Sequence, residues 1–184
     1  MTASGKSWVH DVVYGFYVLA VIGFGASAII HAVTFGGIDL LEHIPVLLLL
    51  HVLIFAVWIP GILRARKAQR QNLATLGQQL GRSPGWLQAL VVLLFVYMFL
   101  NFLLCLVLLE FAVPDEMGGK KVLHSHGKIV RELSDGEYRR CKARQTRLFT
   151  GHWMFFYAAG MILLYAHPRK DEDPCPPPVP SSRQ

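Results

Sequence analysis

Charge is what this 184-residue chain has least of: Asp, Glu, Lys and Arg make up 16% of it, where a soluble domain carries about a quarter. Hydrophobic residues make up 53%, more than a domain of this size can hide, because small domains have little interior. The surplus needs a second solvent, and lipid supplies one. Cysteine is scarce too. Cys105, Cys141 and Cys175 give no disulfide framework and no C-x-x-C pair. The G-x-S-x-G, H-E-x-x-H and phosphate-cradling glycine motifs are all missing, as are internal repeats and a carboxylate pair within an apolar run. Enzymatic readings are correspondingly thin, and a non-enzyme is expected.

Four stretches lack Asp, Glu, Lys and Arg altogether: residues 12–35, 44–63, 86–109 and 148–167, of 24, 20, 24 and 20 residues. A helix rises ~1.5 Å per residue, so ~20 residues cross the ~30 Å hydrocarbon layer. None of the four alternates apolar with polar residues, which argues against a barrel. The expectation is an all-α integral membrane protein. A four-span transmembrane domain occupies 1–167 and a Pro-rich, structureless tail occupies 168–184. Ala26-Ser27-Ala28 imitates a leader-peptide cleavage site, but the apolar run continues beyond it, so the first span is expected to remain.

The formal charge is +6 and the pI about 9.4. The basic residues fall between apolar runs, where they flank spans, and no nucleic-acid-binding module accompanies them, so nucleic acid is not expected as a partner. The segment 64–85 carries five basic residues and no acidic one, with Leu73, Leu76 and Leu80 at the spacing of a surface helix. Ser83-Pro84 then reads as an N-cap and first-turn pair opening the third span. Pro45 fits the first turn of the second span, and Pro60 kinks or ends it.

The connection 114–147 is the one sizeable extramembrane region. Val122, Ile129 and Val130 flank a Ser125-His126-Gly127-Lys128 turn, which predicts a β-hairpin after Gly118-Gly119, with His124 and His126 on one face. Ser134 and Glu137 match a capping box. A basic helix through Arg139, Arg140, Lys142, Arg144 and Arg147 follows, continuing into the fourth span despite Gly151.

Sidedness is contested. The uncompensated charge of 64–85 favours cytoplasmic termini, but 114–147 holds nine basic residues and would then lie outside. Trp8, Trp58 and Trp86 mark one interface and Trp153 the other. A bacterial inner membrane is the expected location.

Within the spans, antiparallel connectivity brings His31, His51, His152 and Glu110 toward one face, and polar groups at that depth are costly unless paired. Imidazoles and a carboxylate suit a divalent metal, and two imidazoles suit a haem or a quinone-linked site, with His31 and His152 the better-matched haem pair. The alternative is that these histidines bond neighbouring carbonyls and no cofactor is bound. Gly23, Ser27 and Asn101 read as helix-packing positions. Proteins of this build serve as accessory subunits, immunity proteins or effectors, an analogy of architecture alone. The expected role is therefore contact, largely through the basic connection, with another membrane protein, a second copy or anionic lipid. A metal- or haem-containing redox component is the alternative.

Overall fold

A computed structural model describes residues 3–70, 81 and 83–165. It is mostly helical, 76%, with a small sheet. The order is helix α1 (Ala3–Val33), α2 (Leu49–Arg70), α3 (Gly85–Leu108), strands β1 (Val113–Met117), β2 (Lys120–Ser125) and β3 (Lys128–Glu132), then α4 (Asp135–Leu164). Between α1 and α2 the chain makes two 3-10 turns and a single helical turn, Leu40–His43, capped by the Asp39 carboxylate, which accepts from the Leu41 amide at 2.9 Å. The proposed surface helix and the tail lie outside the described residues, apart from Gly81.

Helix α4 is the axis of the molecule and packs against each of the other three. Its start follows from local chemistry: Ser134 and Glu137 form a reciprocal capping box, satisfying two amide donors that a helix N-terminus otherwise leaves open. Fourteen of its 30 residues are buried. One core joins Ala20, Ile54, Val57 and Leu87 to Trp153, Tyr157, Met161, Ile162 and Leu164. Trp153 is thus a core residue, 1% exposed, not the interfacial anchor that its sequence position suggested. Close approach is bought with glycine: a Cβ on Gly23 would strike the Tyr157 ring, and one on Gly160 would meet Val57 Cγ1 at 2.5 Å.

Two helices are long and apolar enough to cross a membrane, residues Asp11–Gly36 and Gly85–Leu108, while Leu49–Leu63 is shorter. Helix α3 is the most apolar of the four, yet only Leu87, Leu94, Asn101 and Cys105 are buried. Their spacing of seven, seven and four traces a single seam facing α4. Much of the rest of its surface, Val92, Leu93, Val96, Phe99, Leu100, Leu104 and Val107 among it, points outward.

Helix starts and stops differ in detail from sequence expectation. Pro84, rather than Ser83, is the N-cap of α3 and makes no side-chain cap. Pro60 lies inside α2 without ending it. The end of α3 is held in an unusual way: Glu110 and Phe111 both take positive φ, 55° and 54°, a region costing non-glycine residues ~1–2 kcal/mol each. The Phe111 amide donates to Leu106 O and Arg144 to Leu108 O, so two of the helix's last carbonyls are satisfied.

The sheet is antiparallel in the order β1-β2-β3. His126 and Gly127, both at positive φ (49° and 80°), make the tight β2–β3 turn whose twist matches that of its strands. His126 therefore sits in the turn and not on a strand face with His124, whose Nε2 instead accepts from the Gly127 amide at 3.1 Å. Gly118-Gly119 forms a second turn of the same hand, joining β1, a strand the sequence did not announce. Leu109, Ala112, Leu123, Leu133, Tyr138 and Cys141 pack the sheet onto the first turns of α4.

Candidate functional site

At the sheet end of the bundle, α1 and α3 finish where α4 passes. The i, i+4, i+8, i+11 spacing of Gly136, Arg140, Arg144 and Arg147 lays them along one stripe of α4, with Arg139 beside it. This stripe faces the 34–39 link and Leu108 across a cavity of about 730 Å³.

Two of the four arginines are built into the wall. Arg147 donates from Nε to Thr34 Oγ1 at 3.0 Å and from Nη2 to Thr34 O at 2.8 Å, and its guanidinium lies 3.9 Å from the Phe35 ring centroid, a stacked cation–π contact. Arg144 donates to Leu108 O at 3.1 Å. Arg139 and Arg140 are exposed and form no ion pair among the described residues. The one acidic lining residue is Asp39, whose carboxylate accepts from the Thr146 hydroxyl at 2.6 Å.

Beneath the cavity floor lies a buried polar network. Thr34 donates to His31 O, and the His31 ring is held at both nitrogens, Nδ1 by Thr150 Oγ1 at 2.9 Å and Nε2 by Tyr97 OH at 2.5 Å. The Thr150 hydroxyl has one proton, directed to the carbonyls of Thr146 or Arg147. With that proton on a backbone carbonyl, Oγ1 accepts from Nδ1–H, and in this tautomer Nε2 accepts from the Tyr97 phenol. Asn101 Nδ2 donates to Arg147 O at 3.2 Å and its amide oxygen accepts from the Cys105 thiol.

The other histidines are elsewhere. His51 is exposed, and its Nδ1 accepts from Trp153 Nε1–H at 2.9 Å. His152 donates from Nδ1 to Leu148 O at 2.7 Å and packs edge-on to Phe102. His31 meets α4 at Thr150. His152 follows two residues later, about 200° around the helix at 3.6 residues per turn, so the two rings face different neighbours. Glu110 pairs with Arg131 Nε at 3.1 Å. Among the described residues no three His, Cys, Asp or Glu side chains converge as metal ligands. Gly23 and Ser27 lie against α4, with Ser27 Oγ donating back to Gly23 O at 2.7 Å.

Beside the site several surface charges are paired. Arg131 bridges Glu110 and Glu137. Hydrogen bonds from the Ser134 backbone and side chain, then from Arg131, hold the Glu137 carboxyl down to about 2. Lys121, bonded to Asp135, is raised and Asp135 lowered. Lys142 lies over the Tyr138 ring, 5.5 Å from its centroid.

Sequence reasoning missed Thr34, Asp39, Tyr97, Thr146 and Thr150. The available signal was Thr146 and Thr150, one turn apart on the least apolar of the long helices. Compared with known proteins, the chain matches no family model, no curated protein and no solved structure.

Proposed function

We propose that this is a multi-pass protein of a cytoplasmic membrane, four helices crossing the bilayer, which acts by contact with anionic lipid at its sheet end. The observation that carries the reading is an inversion of burial. The most apolar helix, α3, has four buried residues of 24, whereas α4, with its arginines, threonines and histidine, has 14 of 30. In water such an arrangement would leave a large exposed apolar surface and invite aggregation. In lipid it is the favourable one, because hydrocarbon solvates leucine and phenylalanine while polar side chains need partners inside the bundle.

The basic stripe follows where the apolar shell stops. Lys and Arg near a membrane surface gain ~1 kcal/mol each from acidic headgroups, and four guanidiniums around one cavity concentrate that attraction. The test is reconstitution into vesicles of mixed zwitterionic and phosphatidylglycerol lipid, with energy transfer from the protein's tryptophans to a labelled lipid of each type. Enrichment of the anionic label that declines with salt is the expected result. Equal transfer to both labels, or a protein that is monodisperse without detergent, ends the proposal.

A further inference from the structure

Diffuse attraction would need only scattered surface charge, yet the arginines line one half-open space. The cavity volume of about 730 Å³ falls within the ~300–1,000 Å³ of small-molecule sites. Its charge is one-sided: four guanidiniums face one carboxylate, and that carboxylate is already accepting from Thr146 and the Leu41 amide.

The four differ in freedom. Arg147 and Arg144 are pinned to Thr34 and Leu108, so they form a wall whose position does not depend on a ligand. Arg139 and Arg140 line the same space, are exposed, and form no ion pair among the described residues, so their side chains are not held in place as the other two are. Gly136 adds nothing beyond its backbone, which leaves room at the first turn of α4.

We infer that this cavity is a discrete site for one phosphate ester, and that the ester is a lipid headgroup. Phosphate is favoured over carboxylate because four arginines line one space, and a tetrahedral anion offers enough oxygens to accept from more than one of them. Lipid is favoured over a water-soluble ester because Phe35, Ile38 and Leu108 line the same space and are exposed at 63%, 51% and 37%. They form an apolar lip running onto the outer face of the bundle, where acyl chains would lie. The lipid half of the inference rests on the membrane reading above; the phosphate half does not.

The experiment titrates the full chain, in mild non-ionic detergent, with three probes: dihexanoyl phosphatidic acid, dihexanoylglycerol and inorganic phosphate. Dihexanoylglycerol is the same lipid without the phosphate. Calorimetry and native mass spectrometry report affinity and stoichiometry. Saturable binding of one phosphatidic acid per chain, and none of dihexanoylglycerol, is expected. Arg139→Gln combined with Arg140→Gln weakens it at least about tenfold. Both side chains are exposed, so circular dichroism should show the fold intact. Arg66→Gln, on α2 at the other end, changes nothing.

Tight inorganic phosphate binding without any gain from the acyl chains would replace the lipid by a soluble phosphate ester. Absence of saturation with either phosphate probe, or equal affinity in the arginine variants, overturns the site. The two readings fail separately. Anionic enrichment in vesicles without a saturable site leaves contact and removes the cavity, while saturable phosphate binding by a protein that needs no detergent leaves the cavity and removes the membrane.

Discussion

Replacing Thr150 by valine removes one hydroxyl at constant shape from a position with no solvent exposure, and the cost can be worked from the hydrogen bonds it makes. Thr150 Oγ1 is the acceptor for His31 Nδ1–H, and His31 is itself 6% exposed. Losing the hydroxyl leaves the buried Nδ1 without that partner in either tautomer, at ~1–3 kcal/mol. Losing the bond to Thr146 O costs little, since a backbone carbonyl in mid-helix already accepts from its own ladder. At ~2–4 °C per kcal/mol for a chain of this length, Thr150→Val should lower the melting temperature by several degrees. Tryptophan fluorescence in detergent reads it, because Trp153 lies one turn further along α4. The assignment to His31 is checked by a cycle: in a His31→Leu background the same substitution should cost at least ~1 kcal/mol less. Nitrogen chemical shifts of the His31 ring give an independent readout, with the proton on Nδ1 in the wild type and on Nε2 in Thr150→Val, where Tyr97 becomes the acceptor. A melting temperature unchanged within about 1 °C, together with an unchanged tautomer, would falsify the account of this network.

Four further outcomes are expected. Ser134→Ala should cost ~1 kcal/mol of α4 N-terminal stability, seen as faster hydrogen exchange in its first turn and not in the 150–164 segment. The folded Glu137 carboxyl titrates at about 2, against 4.5 for the ordinary group. Its contribution is therefore complete above the unfolded value and fades as pH falls through about 2, so first-turn protection should drop across that window and not at neutral pH. Gly23→Ala should destabilise by ~1–3 kcal/mol through overlap with the Tyr157 ring, and equal melting curves would refute the close α1–α4 approach. Cys141 is 3% exposed and burial raises its thiol pKa, so a polar maleimide should leave it unmodified until unfolding, whereas Lys128→Cys on the exposed hairpin should react promptly and report the sidedness of the sheet.

What the sequence disclosed was local. The Ser134–Glu137 box and the His126-Gly127 turn are set by residues within a few positions of one another, so their chemistry could be read directly. Strand β1 could not, because Pro114, Asp115 and Glu116 are poor strand formers. Proline survives there because β1 is an edge strand, where an amide donor on the outer side is not needed. The small-residue run of α1 announced a close contact but not its partner, since nothing in Gly23 or Ser27 specifies Tyr157. The histidines shared an end of the bundle in the sequence reading, yet depth alone does not fix the rotation of each helix. Rotation turned His31 toward Tyr97 and Thr150, His51 toward Trp153, and His152 toward Phe102. The arginine cavity depended on the 34–39 link folding back across α4, a contact more than 100 residues apart in the chain.

The unbroken length of α4 carries a mechanical corollary. Thirty residues make a rod of ~45 Å, about half as long again as the hydrocarbon it would traverse. In the proposed membrane placement roughly three turns stand clear of the bilayer, and these bear Arg139, Arg140 and Arg144, beside the packed cluster of Leu123, Leu133 and Tyr138. Those guanidiniums therefore sit toward one end of a single continuous rod that, one turn short of its other end, packs closely at Gly160 against Val57 of α2.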